Sequence, residues 1–374
     1  MFSLYNSSNK SSNKSSNINS QERNLVEKSL QKREEYTINT ENYLLILAIV
    51  ISCIILGIVY VFSKSFRVYK TLDSLKIYNN YQHLSSYNFS KLGDRKLCDL
   101  RVASSYNSTH IGYQMYDYTS EDMLLALLRC GVRYVEFNIF NSEYGSGAIP
   151  MVSMGYKEGE WKLCLTDIPL ERCINIIAKN AFTIQDGSYG VPNPDDPLFI
   201  GLNLNTNSNL KCLDLIADIL MDYLGKYFID PRFSYQNTRD IGDIKMIDLM
   251  GKIAIFSSDG YQGSKLEEVV NYCWDNFNND PKHKMQRIYS GDLNDPDFNP
   301  NTLINYNKTG ITIIVPHKEG DFWTTNYDPS LAFDYGCQFV AMNYQQIDIN
   351  MDKYITLFKN KSIITKPTNI HNNT

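Results

Sequence analysis

Tyr43 to Phe62 (YLLILAIVISCIILGIVYVF) is a run of twenty residues without a charged side chain, and few folds can hold such a run. As a helix rising about 1.5 Å per residue it covers roughly the 30 Å hydrocarbon core of a bilayer. Tyr43 and Tyr60 stand near its two ends, where amphipathic rings prefer the headgroup region. A buried core helix is rarely so uniformly apolar, and a cleaved signal peptide would begin nearer residue 1. We therefore expect one membrane-spanning helix over residues 43–62.

The flanks bear on the orientation, with four basic residues on each side. Arg23, Lys28, Lys32 and Arg33 precede the run, while Lys64, Arg67, Lys70 and Lys76 follow it. The second group lies closer, which favours a cytosolic C-terminal part and attracts anionic headgroups. The chain opens on the polar repeat Ser7-Ser8-Asn9-Lys10-Ser11-Ser12-Asn13-Lys14, which buries too little apolar area to offset its ordering entropy. Residues 1–42 are thus expected as a disordered tail, with a solvated helix open to Gln21–Glu41. Residues 63–92 read as a polar juxtamembrane linker.

Beyond the linker the composition excludes several function classes. A net charge of −5 leaves no basic footprint for nucleic acid. The eight cysteines are scattered, with no CxxC pair and no histidine at zinc-ligand spacing, so they read as free, mostly buried thiols. With 43% hydrophobic residues the chain can bury a sizeable core.

From about residue 93 strand and helix signals alternate. Thr119 or Ser120 caps the acidic-first helix EDMLLALLRC, Gly131 stops it, and the strand VRYVEFNIF follows. A helix around Leu170–Phe182, the strand PLFIGLNL, an amphipathic helix from Leu210 to Tyr227, the strand KIAIF, the helix KLEEVVNYCWDNF and the strands ITIIV and CQFVAMNY complete the series. Repeated units of this length imply an α/β domain with a parallel sheet, closed as a (β/α)8 TIM barrel.

Five segments in order carry a family resemblance. SSYNSTHIGYQM (Ser104–Met115), GVRYVEFNIFN (Gly131–Asn141), GKIAIF from Gly251, QRIYS from Gln286 and GCQFVAMNYQ (Gly336–Gln345) resemble the phosphoinositide-specific phospholipase C motifs SSHNTYLTGDQL, GCRCVELDCWD, GKIL, SRIYP and GCQMVALNFQ. The resemblance implies a TIM barrel over residues 93–367, with an X-like half at about 93–230 and a Y-like half at about 240–367. No further targeting module is left over once that barrel is placed.

It also implies a chemistry, in-line attack of the inositol 2-hydroxyl on phosphorus. That reaction needs one histidine on the phosphoryl oxygen, a second to protonate the leaving oxygen, and a calcium ion held by hard oxygen ligands. The first histidine falls at Tyr106, and a phenol, titrating near 10, offers no cationic charge at pH 7. The second falls at Met154, in Pro150-Met151-Val152-Ser153-Met154-Gly155, and a thioether transfers no proton. The Asn, Glu, Asp and Glu ligands map to Asn107, Glu136, Asn138 and Asn203, so three carboxylates shrink to one and calcium binding is expected to be weak. Two headgroup lysines fall at Phe256 and Ser258, while Arg287 and Tyr289 match a headgroup-contacting pair.

Each retained residue also has a plain structural role open to it. Glu136 can serve a buried hydrogen-bond network, and Arg287 can pair with a carboxylate. His110 can pack in its loop, and His317, after ITIIV, stands where barrel catalysts collect. We expect a membrane-anchored, catalytically impaired member that binds a lipid headgroup, such as that of a phosphoinositide, or a protein partner. The alternative is an active phosphoric diester hydrolase that uses His110 or His317 in a rearranged site.

Overall fold

Period-two alternation along buried parallel strands sends one set of side chains into a barrel and the other onto its helices. The structure, a computed structural model, describes residues 8–79, 84–113, 117–142, 147–156, 161–162, 164–187, 189–233, 241–274, 285–316 and 325–367. The chain divides into two units, Met1–Ser65 and Phe66–Thr374.

The described residues of the first unit lie within helix α1, Ser8–Asn79. Residues 43–62 are exposed along it, and α1 is long and apolar enough to cross a membrane. The segment expected as a disordered tail is helical from Ser8 onward.

The second unit begins inside the stretch expected as a linker. Val68, Thr71, Leu75 and Tyr78 recur at helical spacing, and Leu75 and Tyr78 are buried in the core, so this part of α1 is a packed element and no linker. The Thr71 hydroxyl donates to the Ile111 carbonyl at 2.7 Å, and Arg67 pairs with Asp117.

Eight parallel strands follow: β1 (Leu100–Ser105), β2 (Tyr134–Asn141), β3 (Leu198–Asn205), β4 (Ile253–Ser257), β5 (Tyr272–Cys273), β6 (Met285–Tyr289), β7 (Ile311–Val315) and β8 (Phe339–Met342). Their order around the barrel is β6-β7-β8-β1-β2-β3-β4-β5. Among the described residues no ladder joins β5 to β6, so the barrel is nearly closed. Helices α2 (Glu121–Arg129), α3 (Leu170–Asn180) and α4 (Leu210–Leu224) cover one side. Ser120 caps α2 by accepting from Asp122 N–H, and Gly131, with φ +89°, lets the chain leave it.

One expected helix is largely absent. Among the described residues of KLEEVVNYCWDNF only Leu266–Val269 is helical, and the chain then extends into β5. Adjacent Val269 and Val270 disfavour helix, and the Asn271 side-chain oxygen accepts the Ile255 N–H at 2.7 Å, which draws the segment to β4.

The barrel floor is an aromatic plug. Tyr134, Phe199, Phe256 and Phe339 are fully buried, with ring centroids 5.0–6.5 Å apart. Phe339→Ala should therefore lower stability by about 3–5 kcal/mol, read as a reduced urea midpoint.

Lys366, just after the strand Ile363–Thr365 that pairs with β1, is buried, and its Nζ donates to the Asn307 carbonyl at 3.2 Å. Burial pushes its pKa down to about 8. Below that pH native and unfolded chains both carry the proton, and the burial penalty is fully present. From there to the ordinary lysine value of about 10.4 only the unfolded chain binds it, so stability should rise with pH across this window. Urea midpoints should show that rise, and Lys366→Met should flatten it.

Candidate functional site

The site begins one layer above the plug, on the inward positions of β2, β3 and β6. Glu136 follows Tyr134 by two residues on β2, and Arg287 stands on β6. The Arg287 Nη2 lies 2.8 Å from Glu136 Oε1, with side-chain exposures of 9% and 0%. The Tyr134 hydroxyl donates to Glu136 Oε2 at 2.7 Å. Burial by itself lowers the Arg287 guanidinium, but the Glu136 carboxylate together with the Tyr106, Tyr289 and Tyr134 phenols outweighs it and holds the group well above its ordinary value. Burial and the same carboxylate push Tyr134 well above the phenol range, so its proton stays in place.

Gly201, paired with Glu136 across β2 and β3, leaves room for that phenol. A Cβ there would meet Tyr134 Oη at 2.4 Å. Around the guanidinium stand three aromatic faces, with centroids of Tyr106, Trp274 and Tyr289 at 5.9, 5.7 and 5.5 Å from Arg287 Cζ.

Beside this pair runs a chain of amides. Asn203 Nδ2 donates to Asn138 Oδ1, and Asn138 Nδ2 donates to Asn107 Oδ1. Asn107 sits at φ +45°, a left-handed conformation that asparagine tolerates. Met154 closes the row, its sulfur 3.9 Å from Asn138 Nδ2. Among the described residues the buried Asn107 Nδ2 and Arg287 Nε have no hydrogen-bond partner.

The donor set does not fit calcium. A hard dication draws its affinity from carboxylate oxygens, and both oxygens of Glu136 are engaged by Arg287 and Tyr134. The Asn107 and Asn138 amide oxygens already accept from neighbours, and a guanidinium occupies the carboxylate's side. Among the described residues no three His, Cys, Asp or Glu side chains are grouped to hold a metal.

The structure thus brings together Tyr106, Asn107, Glu136, Asn138, Met154, Asn203, Arg287 and Tyr289. His110 is not among them as a reactive group. Its buried ring donates from Nε2 to the Tyr113 carbonyl and accepts at Nδ1 from the Cys164 thiol, 3.6 Å away, and burial lowers its pKa. His317 lies outside the described residues. Phe256 belongs to the plug, and the Ser258 hydroxyl accepts the Leu204 N–H at 2.9 Å. Sequence reasoning missed Tyr134, Gly201 and Trp274. Only Gly201 carried a signal, since glycine inside a strand marks a close approach.

Known proteins agree with this architecture. The family model described as the phosphatidylinositol-specific phospholipase C X domain matches residues 94–258, and the Y domain model matches residues 267–368. GKIAIF, expected in the Y-like half, therefore falls within the X match. The crystal structure of S. officinalis PLC21 is similar with a TM-score of 0.60 at 21% identity, over 74% of this chain and 38% of that one. The L. pealei PLC21 structure gives a TM-score of 0.60 at 20% identity, with the same coverage of 74% and 38%. The chain thus spans well under half the length of these relatives. No curated protein matches it.

Removing one partner of a buried pair strands the other charge. Arg287→Met should cost about 3–5 kcal/mol in urea unfolding, and adding Glu136→Gln should recover most of that loss.

Proposed function

The chain belongs to the phosphatidylinositol-specific phospholipase C family, and on that premise we propose that it is a membrane-tethered member that holds a lipid headgroup at the barrel mouth without cleaving its phosphodiester. One observation carries the reading: Glu136, the last carboxylate of the ligand set, is already engaged by Arg287 and Tyr134. Among the described residues nothing there is left to gather a divalent ion or to activate the attacking hydroxyl.

The acid and base positions support the same conclusion. Tyr106 presents its ring to Arg287, and Met154 its thioether to Asn138. General acid and base groups each contribute on the order of 10²–10⁴-fold, and the two losses compound. An active hydrolase built on His110 would need that ring to leave both Tyr113 and Cys164.

What remains suits recognition. Arg287 keeps an unpartnered Nε among three aromatic faces, and Tyr289 and Asn203 are only partly buried. The apolar stretch over residues 43–62 supplies the tether, which keeps the barrel at high effective concentration near lipid. The basic residues just after it, among them Lys64 and Lys70, favour the cytosolic face.

The test uses the full chain in lipid nanodiscs with labelled phosphatidylinositol, from chelator to millimolar calcium. No cyclic or linear inositol phosphate should appear, and calcium should leave the melting temperature unchanged. The Tyr106→His and Met154→His double variant should stay inactive, because Glu136 remains engaged. Product release by the natural chain would sink the proposal.

A further inference from the structure

Three acceptor triplets for N-linked glycans crowd the N-terminus: Asn6-Ser7-Ser8, Asn9-Lys10-Ser11 and Asn13-Lys14-Ser15. Such triplets arise by chance in an asparagine-rich chain, and their use depends on the side of the membrane they face. The basic residues flanking residues 43–62 are nearly balanced. The barrel breaks that tie.

Asn107-Ser108-Thr109 and Asn307-Lys308-Thr309 are triplets of the same kind inside it. Asn307 is 2% exposed; its Nδ2 donates to the Tyr335 carbonyl at 2.8 Å, and its Oδ1 accepts from the Thr312 hydroxyl at 2.6 Å. Asn107 is 5% exposed, and its Nδ2 is wholly buried. A bulky glycan on either nitrogen has no way out to solvent. The transferase acts on extended chain as it emerges, so attachment precedes folding. A barrel threaded past that enzyme would be marked at both positions before its core closed. The buried amides therefore suit the side that the enzyme does not reach. All eight cysteines are unpaired as well, which suits a reducing compartment.

With the barrel on that side, a spanning helix places the N-terminal triplets on the other. Asn13 precedes Tyr43 by 30 residues, about 45 Å along a helix, so the acceptors stand clear of the bilayer. We propose that Asn6, Asn9 and Asn13 are N-glycosylation sites on the extracytoplasmic side of the membrane. The amide Nδ2 attacks the anomeric carbon of a lipid-linked oligosaccharide. The new N–C bond replaces that carbon's bond to a pyrophosphate oxygen, and the lipid pyrophosphate leaves as Nδ2 loses a proton. The proposal rests on the tethered, cytosolic barrel of the reading above, and the experiment tests the two separately.

The full chain, with a C-terminal epitope tag, is translated in the presence of endoplasmic-reticulum microsomes. Its mass is read with and without endoglycosidase, and the tag with and without external protease. One to three glycosidase-sensitive mass steps should appear, one for each acceptor used. They should vanish in the Asn6→Gln, Asn9→Gln, Asn13→Gln triple variant, and protease should remove the tag. These substitutions lie outside the barrel, so its folding does not enter the readout. Loss of the tag with no mass step would overturn the acceptors and uphold the cytosolic barrel. Steps that vanish in the triple variant while the tag stays protected would uphold the acceptors and overturn the cytosolic barrel. Asn88, Asn360 and Asn372 complete further triplets after the span. A protected tag with steps that survive the triple variant, or with none, would therefore sink both, as would a chain that carbonate washes from the membranes.

Discussion

Arg287 and Glu136 meet 2.8 Å apart inside the barrel, and both are almost wholly withdrawn from water. Desolvating two such ions costs several kcal/mol each, and their attraction offsets this only when the remaining lone pairs and protons are well placed. Here the second carboxylate oxygen takes a hydrogen bond from Tyr134, and three aromatic faces surround the guanidinium. Tyr134 also belongs to the plug beneath, so the ion pair and the hydrophobic floor hold each other in register. Gly201 completes the arrangement, because any side chain there would push the phenol off the carboxylate.

Much of the barrel was legible because helix caps and strand periodicity are local. Ser120 and Gly131 mark the ends of α2 through backbone chemistry that the neighbouring residues decide. β1 was harder, since all of LRVASS is buried and shows no alternation. KLEEVVNYCWDNF misled because its apolar spacing suits a helix, while the pull of β4 on Asn271 is a tertiary contact. The packed end of α1 hid behind the apolar run before it, whose hydrophobicity masks the stripe through Leu75 and Tyr78.

The site divides the same way. Motif spacing located its residues, and a carboxylate partner was among the roles open to Arg287. The identity of that partner was out of reach, because Glu136 lies 151 residues away and meets it only once the barrel forms. The amide chain was equally hidden. Asn107, Asn138 and Asn203 read singly as weakened metal ligands, whereas side by side they saturate one another.

These substitutions make sense only as a set. With amides at Asn138 and Asn203, where the resemblance implies carboxylates, Glu136 stands alone in a low-dielectric interior. A lone buried carboxylate needs a cation, and Arg287 is the one within reach. Once so engaged, Arg287 has less charge to offer a phosphate. Phe256 and Ser258, where the resemblance implies lysines, stabilise the plug and β3. Among the described residues this layer is internally bonded. Introducing one histidine or one carboxylate alone would add a buried, unmatched group to that network, which costs stability.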